Sequence, residues 1–421
     1  MGPILIFDKS TLQSLSVDES VWLENFFNTN LTNLFYVETL ADIEKKVKNN
    51  FTPEQVVGNL ALKVPQDSTP NVNYLKLLIL NLLGVTVEMS NRPNIERGVI
   101  KRTSNGRVGV YYEPFLEAEA LNRWQEGKFL EIERNFARKW RQSISNINFD
   151  YMIGLVKNII PKGKKFKNLK EVKDFVDYFV VGNYKELYYL AFNMLKVPEI
   201  NHKKIIFRWE KQNRPHLSEF APYAAYVLKI NLFFFICLNS SFISKDRPSN
   251  MIDIAYLYYL PFCMVFTSND KLHERVAPLF MEQNQIFIKG DDLKISLGEL
   301  DNYYSQYPEE VKNQGVMKFA VNPPEKIKTL VKDIWDKSLM IWGKKDSKEK
   351  EKPIESNKSE KESVKRIKRL IHEAEVIEND SQIPEEDIDH VVFKRKMLIK
   401  KGKWRLLPKE VEKNLRKDKE P

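Results

Sequence analysis

The stretch Met251 to Asp270, MIDIAYLYYLPFCMVFTSND, joins two acids to an almost unbroken apolar run. It reads as a helix carrying Asp253, then an apolar strand over Met264 to Thr267, then Asp270 just past the strand's end. A carboxyl group on a buried helix is costly unless a cation or a hydrogen-bond donor meets it. An acid at the carboxyl end of a strand stands where open α/β sheets place their sites. The N-terminal region offers a matching half: Pro3 to Phe7 (PILIF) is a short apolar strand, and Asp8 follows it directly. The expectation is that these two distant halves meet around one acidic, metal-binding site.

The order of elements supports an α/β fold split by an insertion. Residues 1–60 read as the first part of the core. Ser16 with Glu19 three residues on is a capping box that opens a helix from Ser16 to Phe27. Leu34 to Val37 reads as a second strand, running into a helix that starts at Glu38 and carries Asp42 on the same face. Strand–helix alternation implies a parallel sheet. Residues 61–244 lose that rhythm and read as a mostly α-helical insertion. Within it lie a hairpin signal at Asn105-Gly106 and one long helix over Phe115 to Ile147. Residues 245–300 resume the core, and 301–343 read as a helical closure anchored by Trp335 and Trp342. Residues 344–390 read as a disordered charged linker and 391–421 as a basic tail with Trp404, Leu406 and Leu407 embedded in it.

Charge and cysteine content narrow the setting. The formal charge of +10 suits an anionic partner, nucleic acid first, with plain solubility as the alternative. Residues 371–390 hold eight acids and no Lys or Arg, while 391–421 hold twelve Lys or Arg against four acids. Basic residues for phosphate contact are Lys9, Lys101, Arg102, Arg107, Lys164 and Lys165. The two cysteines, Cys237 and Cys263, lie in apolar runs and read as buried thiols, which fits a cytoplasmic protein. The apolar run Phe220 to Leu238 contains Pro222, Lys229 and Asn231, and reads as a buried core helix rather than a membrane span.

The acids then suggest a chemistry. Asp8, Glu38 or Asp42, Asp253 and Asp270 stand at strand ends or on helices, and carboxylates so gathered bind hard divalent cations. At these places the chain resembles the PIN-domain family of metal-dependent nucleases. ILIFDKSTL is similar to that family's opening strand and acid, with Ser10 as the small hydroxyl residue. FYVETLADIEKK looks like its second strand and helix, SNMID like the helix start bearing the third acid, and VFTSND like the strand closing on Ser268 and Asp270. The resemblance spans about 110 residues in two pieces. It implies a Rossmann-like three-layer core with a parallel sheet, and Mg²⁺- or Mn²⁺-dependent endonucleolytic hydrolysis, of RNA before DNA. In that reading Asp8, Asp42, Asp253 and Asp270 hold metal, Glu38 is a further ligand or the base, and Ser10 and Ser268 orient carboxylates. A homo-oligomer fits as well.

Plainer readings stand beside these. Each acid suits a helix cap or first turn. His273, three residues past Asp270, either approaches the site or lies on the surface. The alternative function is a catalytically silent PIN-like scaffold that binds nucleic acid or a protein.

Overall fold

The structure is a computed structural model that describes residues 2–43, 51–66, 68–95, 99–103, 108–111, 116–145, 148–181, 185–338, 375–377 and 398–412. Five parallel strands form the central sheet: β1 (Ile4–Phe7), β2 (Asn28–Leu31), β3 (Thr69–Pro70), β4 (Val265–Ser268) and β5 (Ile286–Lys289). Their order is β3-β2-β1-β4-β5, so the sheet grows in opposite directions from the β1–β4 pair. Leu5 pairs with Val265 and Phe7 with Thr267.

Alternation along these strands feeds two cores. Ile6 and Phe266 face one cluster, while Leu5, Phe7 and Val265 face another. The second cluster packs under α1 (Lys9–Ser14), α2 (Val17–Phe26) and, later in the chain, the helix Gly290–Ser305. The Ser16–Glu19 capping box opens α2 as expected. The first cluster holds α4 (Pro222–Asn239), α5 (Asn250–Tyr256) and α6 (Lys271–Phe280); α3 (Asn33–Ala41) contributes Leu34 to it and Phe35 to the other, and Gly290–Ser305 is hereafter α7. The fold is mixed α/β with a parallel sheet covered on both faces. Among the described residues, α4 alone is long and apolar enough to cross a membrane, and it lies in the core. Its polar residues are satisfied: Lys229 meets Asp177 at 3.0 Å, and Asn231 accepts from the Tyr258 hydroxyl at 2.9 Å. Both cysteines are buried and free.

Several elements differ from the sequence expectation. Leu34 to Val37 is not a strand; it lies inside α3, whose N-cap Thr32 accepts from Phe35 N. The second strand is the polar Asn28-Thr29-Asn30-Leu31. It tolerates burial because Thr29 Oγ1 meets Ser68 Oγ at 2.6 Å and Asn30 Nδ2 donates to the Phe262 carbonyl at 3.2 Å. Glu38 therefore sits late in α3, and Asp42 is its C-cap. The third strand, Thr69–Pro70, falls inside the segment read as an insertion. The long helix after residue 115 is two, Leu116–Gln125 and Glu131–Ser145, parted near Gly127, whose φ of 70° ends a helix readily. The hairpin is present as Val99–Thr103 against Val108–Tyr111, and Glu375–Ile377 from the acidic stretch adds a third, parallel strand to it. Trp342 and most of 344–397 lie outside the described residues.

Part of the basic tail belongs to the core. Residues 398–412 form a small hairpin laid against α2. Trp404 is 3 % exposed, meets the Trp22 ring edge-on at 4.7 Å and donates to Asp301 Oδ1 at 2.6 Å. The buried Lys401 ammonium pairs with Glu24 at 2.9 Å and reaches the carbonyls of Lys63 and Val64. Gly402 (φ 58°) passes so near Asp18 that a Cβ there would overlap its carboxylate. Trp404→Ala is expected to lower unfolding free energy by about 3 kcal/mol, since it empties a packed aromatic site. Urea unfolding followed by intrinsic fluorescence measures this.

Candidate acid site

Asp8 leaves the end of β1 and caps α1, accepting from Thr11 N at 2.9 Å. It is 4 % exposed. Two hydroxyls from either side of the β1–β4 seam donate to it: Ser10 Oγ at 2.8 and 2.7 Å to its two oxygens, and Ser268 Oγ at 2.7 Å. Each hydroxyl oxygen in turn accepts a backbone N–H, Ser10 from Asn269 and Ser268 from Asp270. The serine protons are thereby directed at the carboxylate. Ser10 and Ser268, expected as orienting residues, both donate to Asp8.

Behind Ser268 stands His273, on the first turn of α6 and 1 % exposed. Nδ1 lies 2.7 Å from Ser268 Oγ and 3.7 Å from Asp8 Oδ2; Nε2 lies 2.6 Å from the Asp253 carbonyl. A carbonyl only accepts, so Nε2 carries a proton. Ser268 gives its own proton to Asp8, so Nδ1 carries one also. These contacts favour the imidazolium form. Burial works against that charge, but the contact with Asp8, its charge and that of Asp253 raise the histidine to about 9. Burial likewise works to raise Asp8, and the His273 contact and charge, with Ser268 and Ser10, outweigh it and hold the carboxyl below its ordinary value.

The other acids divide into two groups. Glu38 accepts from the Tyr256 hydroxyl at 2.6 Å. Burial raises its pKa, Lys9 and Tyr256 oppose this, and the Asp8 charge adds to it. Asp253, on the first turn of α5, is raised to about 7, chiefly by burial; His273 opposes, and the charges of Asp270, Glu38 and Asp8 add. Asp270 is the N-cap of α6 and accepts from Leu272 N at 2.5 Å. These four carboxylates thus share one field. Asp42 stands apart from it in role: Lys9 pairs with it and also donates to the Glu38 carbonyl at 3.3 Å. Lys9 is itself buried, so it steadies α3 rather than presenting its charge to solvent. Of the two acids on α3, Glu38 joins the group.

The remaining basic residues lie elsewhere. Lys164 and Lys165 are exposed on the loop before the helix Leu169–Val180, with Lys164 over the Phe166 ring at 5.6 Å. Lys101 and Arg102 lie on the hairpin strand Val99–Thr103, where only the backbone is described; Arg107 lies outside the described residues.

Sequence reasoning passed over Tyr256 and set His273 on the surface as the plainer option. The signal for the latter was present: His273, Val276, Ala277 and Phe280 recur at helical spacing and share the buried face of α6. Tyr256, three residues after Asp253, was legible only once α3 was known to face α5.

Oxygen donors from four separate elements, with two of them protonated more readily than usual, fit a hard divalent cation in donor type and charge. Among the described residues no three His, Cys, Asp or Glu side chains are gathered closely enough to form a ready shell. No family model matches the chain, and no curated protein or solved structure does either.

The pKa of Asp253 has a stability consequence. A carboxyl raised in the folded state favours folding while protonated, so its contribution is full below about 3.8 and is lost as pH rises through about 7. Asp253→Asn removes that loss. The variant should gain on the order of 4 kcal/mol relative to the parent between pH 4 and pH 8, measured by urea unfolding at both values.

Proposed function

We propose that the chain is a PIN-like, metal-dependent nuclease that hydrolyses phosphodiester bonds, RNA in preference to DNA. The observation that carries this reading is the position of the acids. Asp8 and Asp270 follow β1 and β4, the adjacent strands from which the sheet order β3-β2-β1-β4-β5 runs in opposite directions. Rossmann-like sheets bind their ligands in the crevice at that reversal. Fold alone does not carry function, so the chemistry rests on the acids.

In this reading Asp8, Asp253 and Asp270 would hold one Mg²⁺ or Mn²⁺ largely through bound water, since no three of the described acids form a ready shell, with Glu38 as a further ligand or the group that takes a proton from water. Asp42 drops out of the ligand set because Lys9 engages it. A bound divalent cation supplies charge for the phosphodiester oxygens and an acidified water. Ser10 and Ser268 keep the Asp8 carboxylate aimed, and burial keeps Asp253 and Glu38 ready to exchange a proton for metal. Exposed lysines of the helical body, Lys164 and Lys165 among them, provide phosphate contacts that position without reading sequence.

A second reading has one specific observation behind it. Asp8 already accepts from Ser10, Thr11 N and Ser268, and the His273 charge balances its own. Such a site also suits a silent scaffold that binds nucleic acid without cutting it.

Cleavage of labelled single-stranded RNA and DNA in Mn²⁺ separates the two. The nuclease reading expects turnover that stops with chelator and falls at least about a hundredfold in Asp8→Asn and Asp253→Asn. A folded parent that binds RNA in a salt-dependent way without cutting it would favour the scaffold.

A further inference from the structure

The His273 ring links the ends of two strands and the start of a helix, and one of those strands lies far away in sequence. Nδ1 engages Ser268 at the end of β4, and through that hydroxyl reaches Asp8 at the end of β1. Nε2 engages the backbone carbonyl of Asp253 in the first turn of α5. The ring's flat sides and edges are fixed as well, with Phe266 at 5.1 Å and Tyr256 at 5.7 Å between centroids, both near edge-on. At 1 % exposure the ring has no face left for a substrate. It therefore acts through its neighbours.

We propose that His273 is the positioning residue of the acid site: one buried ring, gripping Ser268 with one nitrogen and the Asp253 carbonyl with the other, sets where Asp8 stands relative to the start of α5. Both grips are needed because neither acid is tied to the other directly. Asp8 is fixed to its own turn and to the two serines. The α5 start is held by the ring and by Asn250 Nδ2, which donates to the Ser244 carbonyl at 3.2 Å; its N-cap Ser249 makes no side-chain capping bond. The spacing of two carboxylates donated by β1 and α5 then depends on a residue of α6. Only the expected effect on cation affinity rests on the metal-site reading; the geometric claim stands without it.

Three variants of the full-length chain test this. His273→Phe keeps the aromatic bulk and loses both grips. His273→Gln keeps a donor toward the Asp253 carbonyl, and His273→Asn keeps one toward Ser268. The first readout is ring-proton NMR of the parent, which should show a slowly exchanging Nε2–H signal for His273. The second is amide hydrogen exchange. His273→Phe should speed exchange in Asn250–Tyr256 about tenfold and leave α4 unchanged, with Gln less affected than Asn. The third is Mn²⁺ affinity by electron paramagnetic resonance, expected to weaken about tenfold or more in His273→Phe and less in the other two. A role in packing alone predicts that His273→Phe behaves as the parent, and that result overturns the proposal, as does rapid solvent exchange of the Nε2–H. If the parent binds no Mn²⁺, the metal-site reading fails, and the exchange of α5 decides the role of His273. If His273→Phe does not fold, the ring protons and the Gln and Asn variants decide it.

Discussion

A buried carboxylate at the end of the central strand sets the terms for everything around it. Asp8 sits where the β1–β4 seam ends, and its charge stays there only because donors reach it from three directions. Thr11 N comes from its own turn, Ser10 from α1 and Ser268 from the neighbouring strand. The buried imidazolium of His273 supplies the compensating charge. An isolated ion in such a place would lose several kcal/mol of hydration, which this arrangement replaces with directed hydrogen bonds and a partner charge. The same demand explains Ser268 at the end of β4: it donates to Asp8, while the backbone N–H groups of Asn269 and Asp270 donate to the Ser10 and Ser268 hydroxyls.

Much of this was legible from residue type and spacing, and the failures have physical causes. Apolar strands followed at once by an acid gave β1 and the β4 region, and Ser16 with Glu19 gave α2. The second strand was missed because its buried residues are Thr29 and Asn30, which enter the core with one side-chain hydrogen bond each, and with Asn30 Oδ1 left unpartnered, instead of displaying an apolar pattern. The neighbouring Leu-Phe-Tyr-Val run took its place in the reading because four apolar residues suit a strand or a buried helix equally. That exchange moved Glu38 from a helix start to a helix end, and with it the choice between Glu38 and Asp42. Which acid joins the group turns on a contact between α3 and α5, some two hundred residues apart, and no local pattern contains it.

The helical body and the hairpin at 398–412 show how far the core extends past its sheet. α4 is apolar on nearly every side and serves as the axis about which the helices of the central region pack. Residues 398–412 carry a strongly basic composition, yet Trp404 and Leu406 are core residues and Lys401 is an internal cation. Composition alone read that stretch as a basic tail. Its two aromatic and aliphatic anchors, spaced for a short hairpin against α2, outweighed the charge around them.

The pairing of β1 with β4 also bears on how the chain comes into being. Ser268 and Asp8 are 260 positions apart, so the central seam of the sheet has a partner missing until more than half of the polypeptide has left the ribosome. Until then Ile4–Phe7 is an apolar strand with an open edge, and Asp8 has neither the Ser268 hydroxyl nor the His273 charge. A nascent chain in that condition has reason to bind a chaperone, and the acids acquire their shared field only when the strand at 265–268 arrives.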